Sequence, residues 1–237
     1  SISAHGFGHL AQAAPVIRAL QRRTPGLQFV VRSALPQSLL AQAIPNAEFE
    51  PCDHDFGVPM HGIRCAPADE IYRAWNDQTE RSEEIQTRLA QRLQNGAFDF
   101  ALSAISPWLL GAAAETGIPA FGVGSFSWSG IVRRLSAGSP DFDGILRTMD
   151  QAYAKATQLF SLTPGLGMDG LAAVSIAPVI VQTGAARRDA ILNFVGRDAN
   201  TKIVVLAFGG MFPDAAPILS DAGSSWILLS PEKWAAG

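Results

Sequence analysis

Cysteine and charge are both scarce in this chain. Two cysteines, Cys52 and Cys65, occur among 237 residues, which excludes a disulfide framework and makes a reducing compartment the default. Charged residues make up 16% and the formal net charge is −3, with Lys and Arg scattered rather than gathered into a stripe. That distribution excludes the electrostatic footprint of a nucleic-acid binder. No uninterrupted apolar run reaches membrane length, so no transmembrane segment is expected and a cytoplasmic location is. Short-period repeats and low-complexity tracts are also missing, which excludes a solenoid. Apolar residues, at 48%, are plentiful enough to build a sizeable core and to exclude general disorder.

Local patterns alternate between two periods. Leu10, Ala13, Ala14, Ile17 and Leu20 recur at helical spacing, and Thr24-Pro25-Gly26 stops that helix. The run 27–33 is apolar with β-branched residues and reads as a buried strand; 35–43 reads as a short helix and 47–51 as a strand. The stretch 52–67 reads as irregular. A single long helix is predicted over 68–94, stopped by Asn95-Gly96, with Ile71, Trp75, Ile85, Leu89 and Leu93 as its inward stripe. Strand, helix and strand follow in FDFALSA, WLLGAAAETG and IPAFGV, then a loop and helix in GSFSWSGIVRRL. A helix over 143–157, a strand over 158–162, a loop over 163–170, and VSIAPVIVQ leading into a helix near 185–195 complete the pattern. The strand from Lys202 to Leu206 then repeats the opening grammar by delivering its end into glycines.

Apolar strands alternating with helices predict a parallel sheet covered on both faces, an α/β, Rossmann-like, doubly wound fold. The expected layout is a first domain over 1–175, a connection over 176–200, and the start of a second α/β domain over 201–237. Ser1-Ile2-Ser3 reads as the tail of a strand, and SSWILLSPEKWAAG stops just past another, so a fragment of a longer protein is expected.

In such sheets ligands sit beyond the carboxyl ends of the strands. The first such end holds His5-Gly6-Phe7-Gly8-His9 at a strand-to-helix step. Three readings compete there. Gly6-Phe7-Gly8-His9-Leu10-Ala11 fits the G-x-G-x-x-A dinucleotide turn, with Arg32 as a cation for a 2′-phosphate. A sugar-transfer site would use His9 as the base that takes a proton from an acceptor hydroxyl, kept neutral by the helix dipole. Plain turn chemistry needs only glycines able to adopt positive φ and a capping or core histidine. Helix N-terminal N–H groups suit phosphates in either ligand reading.

Ser125, Phe126 and Ser127 also follow a strand end, with the Ser127 hydroxyl expected to touch an acceptor and Trp128 expected in the core. Cys52, His54, His61 and Cys65 have a spacing, C-x-H-x6-H-x3-C, that matches no standard zinc site, and no metal is expected. Asp53, His54 and Asp55 are polar candidates for a loop over an acceptor cleft. The pairs Arg133-Arg134 and Arg187-Arg188 read as solvated helix surface, and Glu80, Glu83 and Glu84 interleaved with Arg81 and Arg88 as an ion-paired helix face.

AHGFGHLAQAAPVIRAL resembles the first turn and helix of GT-B glycosyltransferases, and in particular the glycosyltransferase-like N-terminal half of arabinose kinases and their bacterial relatives. The peptidoglycan N-acetylglucosaminyltransferase resembles it more distantly. The likeness continues in DFALSAISPWLLGAAAETGIPAFGVGSFSWSGI and in APVIVQTGAARRDAILNFVG followed by IVVLAFGG. The resemblance implies a two-domain enzyme that moves a sugar from a nucleotide-sugar donor to a small-molecule or lipid-linked acceptor, with no metal and no resident cofactor. It puts His9 at the position of the base and Gly209 and Gly210 at the donor diphosphate, while His5, Gly6, Phe7, Gly8, Ser125, Phe126 and Ser127, at the strand ends, are expected around the substrate. One departure stands out. In many such enzymes the strand matching LSAIS ends in an Asp that orients the histidine, and here that residue is Ala104.

Overall fold

The computed structural model describes residues 1–52, 57–62, 64–205 and 226–229. Helix α1 (Gly8–Arg23) is followed by strand β1 (Val30–Ser33), α2 (Gln37–Ala43), β2 (Glu48–Pro51), and the two-residue strands β3 (Met60–His61) and β4 (Arg64–Cys65). Then come α3 (Ala68–Glu80), α4 (Ser82–Asn95), β5 (Ala101–Ser103), α5 (Pro107–Glu115), β6 (Ala120–Gly124), α6 (Trp128–Leu135), α7 (Asp143–Ala154) and β7 (Gln158–Leu162). The described elements close with β8 (Val174–Ala177), α8 (Arg188–Phe194), β9 (Lys202–Val205) and β10 (Trp226–Leu229). Among these helices none is long and apolar enough to cross a membrane.

Strands β1 and β2 pair in parallel, and β5, β6, β7 and β8 form a second parallel run in that order. Residue Ile2 joins the two runs. Its N–H donates to the Arg32 carbonyl at 2.9 Å, and it bridges Ala104 in parallel on the other side. The spatial order is therefore β2, β1, Ile2, β5, β6, β7, β8. From Ile2 the chain winds outward to β1 and β2, then returns across Ile2 to wind the other way. This is a Rossmann-like doubly wound sheet, and its order reverses between Ile2 and β5.

The pleat sorts the core onto both faces. Ile2, Val31 and Ala104 pack with Leu10, Ala13, Ala14 and Ile17 of α1 and Leu40 of α2. Ala101, Ala120 and Leu159 pack with residues of α3, α4, α5 and α7 in a larger cluster. Ala101 and Leu102 are neighbours in β5 yet fall to different clusters, as alternation across a strand requires.

The predicted stripe is buried as read: Ile71, Trp75, Ile85, Leu89 and Leu93 all lie in the larger cluster. The single helix is not. It divides at Arg81, where ψ opens to 1°, and the Thr79 hydroxyl donates to the Trp75 carbonyl at 2.8 Å in the preceding turn. Back-bonding of this kind bends helices. The bend lets α3 pack on α7 while α4 packs on α5.

The chain divides into two compact units, residues 1–60 with 65–181, and residues 61–64 with 182–237. The second contains α8 and the parallel pair β9 and β10. Within it, the Arg188 guanidinium donates to the carbonyls of Ala199 and Thr201. Leu206 lies outside the described residues.

Ile85 is fully buried between α4 and its neighbours. Ile85→Ala is expected to lower stability by about 2–5 kcal/mol through lost burial and a residual cavity. A urea-denaturation midpoint that moves by less than the equivalent of about 1 kcal/mol would mean that the α4 face is not part of the core.

Candidate functional site

Three strand ends converge where the sheet order reverses. The first is the turn after Ile2. Ser3 Oγ accepts the His5 backbone N–H at 3.2 Å, and Gly6 adopts φ of 69°, a left-handed conformation that a side chain would strain. Phe7 is the N-cap of α1, so Gly8 and His9 are its first two residues. Phe7 supplies no side-chain cap and no acidic residue lies in the first turn, and by helix geometry the N–H groups of Gly8, His9 and Leu10 have no intrahelical acceptors. Only Gly6 of the two glycines has positive φ. Gly8 is helical, and a Cβ built on it meets nothing within 4 Å.

The second end follows β5. Ser103 Oγ donates to the Ser106 carbonyl at 2.9 Å, tightening the turn. Between them Ile105 sits at φ of 71°, a strained conformation for a β-branched residue. Its carbonyl accepts the Tyr153 hydroxyl at 2.7 Å, and the Tyr153 hydroxyl oxygen in turn accepts the Trp128 N–H at 3.0 Å. Burial pushes the Tyr153 phenol well above its ordinary pKa.

The third end follows β6. Ser125 Oγ accepts from the Gln12 amide at 3.1 Å, and its carbonyl accepts the Leu166 N–H at 2.7 Å. Phe126 bridges Gly167 in parallel. Ser127 is the N-cap of α6, its hydroxyl accepting the Gly130 N–H at 3.1 Å.

Rings fill the space between these ends. His9 meets Phe126 edge-on at 5.6 Å between centroids and Trp128 at 5.7 Å with a 33° tilt. His5 meets Trp128 at 5.6 Å in a T-shape, and Phe126 meets Trp128 at 5.1 Å. A Cβ on Gly57 would come within 2.6 Å of His5 Nδ1, so only glycine fits against that imidazole. The Trp75 indole N–H holds the Gly57 carbonyl at 2.8 Å. Trp128 is core, as its sequence context predicts.

The structure thus brings His5, Gly6, Phe7, Gly8, His9, Ser125, Phe126 and Ser127 to one place, with two corrections. His9 is not on an open surface: it is 6% exposed, walled by Phe126 and Trp128, while Phe7 beside it is 44% exposed. Ser127 does not present its hydroxyl outward: it is 2% exposed and committed to capping α6. Ala104, which the resemblance sets where related strands end in Asp, is buried in the cluster of Ile2 and α1. Arg32, the candidate 2′-phosphate cation, pairs with Glu50 of β2 at 3.7 Å. Asp53, His54 and Asp55, and the donor-side Gly209 and Gly210, lie outside the described residues. No group of three or more His, Cys, Asp or Glu side chains among the described residues is placed to hold a metal ion.

Gln12, Gly57, Ile105 and Tyr153 were missed by the sequence reading. A signal existed for Gln12 alone, which lies one turn after His9 on the same helix face.

No family model matches the chain, and no curated protein matches it. Among solved structures it is similar to a UGT transferase from Siraitia grosvenorii in complex with UDP, at 13% identity and TM-score 0.46, over 88% of this chain. MurG of Acinetobacter baumannii is similar at 14% identity and TM-score 0.41 over 86%, and LpCGTa in complex with UDP at 12% and 0.49 over 91%. The chain spans 57%, 50% and 61% of those three chains. The order of the parallel strands, not these likenesses, carries the fold assignment.

Tyr153→Phe keeps the ring and removes the hydroxyl that bridges Ile105 and Trp128. The expected loss is about 1–3 kcal/mol, because a buried carbonyl and a buried amide each lose a partner. Urea denaturation of the two proteins reads the difference, and an unchanged midpoint would show that the bridge contributes nothing.

Proposed function

We propose that the chain is the acceptor-side part of a glycosyltransferase of GT-B type, in which His9 takes the proton from an acceptor hydroxyl as a sugar leaves its nucleotide donor. The observation that carries this reading is the position of His9. It is the second residue of α1, beyond the carboxyl end of the strand residue at which the sheet order reverses, with Phe126 and Trp128 against its ring. This crevice is where doubly wound sheets bind ligands. The resemblance of HGFGH and FSW supports it, because both motifs fall on the same crevice.

The residues divide the work. A helix N-terminus disfavours a cation beside it, which in this reading favours a neutral imidazole at His9. Exposure of 6% confines transfer to a hydroxyl brought directly against the ring. Gln12 and Tyr153 hold the segment after β6 that carries both flanking rings, and Tyr153 ties it to Ile105 after β5. Gly209 and Gly210 would turn backbone N–H groups to the donor diphosphate in place of a metal ion or resident cofactor. A binding role without turnover is the second reading, favoured by Ala104, because an imidazole without a carboxylate partner loses tautomer control and support for its charged form.

The test is sugar transfer from a panel of nucleotide sugars, followed by mass spectrometry on a protein that carries both the acceptor and donor sides. His9→Ala is expected to lose about 10²–10⁴-fold in turnover. Equal transfer by the two proteins removes His9 from the mechanism, and binding of a donor with no transfer by the wild type favours the second reading.

A further inference from the structure

We infer, on the transferase reading of this crevice, that Gln12 and Ser125 select the acceptor. Together they bind a second hydroxyl on the same ring that presents its first hydroxyl to His9. The acceptor class is therefore a cyclic polyol such as a sugar, rather than an isolated alcohol on an apolar chain.

Gln12 lies three residues after His9 on α1, and residues at that spacing are neighbours on a helix surface. Both side chains reach the same segment. The His9 ring rests against Phe126 and Trp128, and the Gln12 amide donates to Ser125 Oγ at 3.1 Å. Gly8, four residues before Gln12, shares this part of the helix surface, and a Cβ built on it meets nothing within 4 Å. The amide and the hydroxyl are both half-buried.

Their hydrogen-bonding capacity is only partly used. Ser125 Oγ accepts from Gln12 and keeps its own proton to give, while Gln12 Oε1 keeps its lone pairs. Among the described residues neither group takes a further side-chain partner. Turning the amide over exchanges the two roles, and the pair still offers one donor and one acceptor. Neighbouring hydroxyls make no such offer. Ser103 donates to the Ser106 carbonyl, Tyr153 to the Ile105 carbonyl, and Ser127 caps α6. An alcohol matches the pair because one oxygen both donates and accepts. A carboxylate or phosphate would satisfy only the donor, and an ammonium only the acceptor.

A ring fixes the separation of its hydroxyls, so binding one of them on Gln12 and Ser125 orients another toward the His9 imidazole. A lone alcohol brings nothing to the pair and leaves two half-buried polar groups without a ligand partner, which discriminates against it.

The test titrates the isotope-labelled chain with cis-cyclohexanediol, whose two hydroxyls are neighbours, and with cyclohexanol, which has the same ring and one hydroxyl. NMR shifts of the Gln12 side-chain amide and of the Gly8 and Ser125 backbone N–H groups are the readout. The diol is expected to bind about threefold to tenfold more tightly, the worth of one hydrogen-bonded hydroxyl. Gln12→Met keeps the side-chain length and loses both polar atoms, and it is expected to bring the two affinities together. Ser125→Ala is expected to do the same, with a cooperative thermal transition showing that each variant is folded. If Gln12 merely tethers the segment after β6, both affinities fall and their ratio stays, which overturns the inference. Equal affinities in the wild type, or diol binding that leaves Gln12 and Ser125 unshifted, overturn it as well. On a protein that carries both the acceptor and donor sides, the preference for the diol is expected to recur in kcat/KM and to vanish in Gln12→Met. His9-dependent transfer without that preference overturns the acceptor selection alone. The preference and its loss in Gln12→Met, found without any transfer, support polyol binding by the pair and overturn the transferase reading instead.

Discussion

A single rung of backbone hydrogen bonds holds the first unit together. Ile2 reaches β1 through the Arg32 carbonyl, and Ser1 reaches β5 through Leu102 and Ala104. Without that rung, β1 with β2 and β5 through β8 would be separate small sheets, and a two-stranded pair is marginal in water. The rung is also what makes the order reverse. Winding outward from Ile2 and back across it leaves two loops diverging from neighbouring strand ends, the arrangement at which doubly wound sheets take ligands. The join in the sheet and the convergence of the three strand ends are one consequence of the same topology.

Around that crevice, structural and candidate chemical duties fall on adjoining residues. Tyr153 spans the β5 turn and the start of α6, holding Ile105 in a conformation that it avoids elsewhere. That grip places Trp128, and Trp128 in turn touches both histidines. Ser127 ends the β6 loop by capping α6, which sets where the next ring points. The hydroxyls of Ser127 and Tyr153 near the imidazoles are thus committed to geometry, while a Cβ on Gly8 would meet nothing within 4 Å.

Much of the fold was legible because long apolar periodicities survive any tertiary context. The stripe on α4, the strand over 158–162 and the helix stop at Thr24 were all readable as local patterns. The break at Arg81 was not, because it depends on a threonine hydroxyl bonding back to Trp75 and on two different packing partners for the halves. The cluster of residues at the strand ends was legible in outline. His9, Gly6 and Phe126 were visible as glycines, imidazoles and aromatics at strand ends, while Gly57 and Tyr153 were not, since each acts through a partner 48 or more residues away, in the case of both His5 and Ile105.

The sequence by itself determined the element types, the parallel sheet and the location of the first turn, because those follow from side-chain period and from backbone limits at glycine. It also placed an imidazole at the start of a helix. Only the tertiary structure decided that the ring is enclosed rather than open, that Ser127 caps instead of facing a ligand, and that Arg32 is taken by Glu50. Enclosure and pairing are properties of groups brought together from distant strands, and no local pattern records which distant groups will meet.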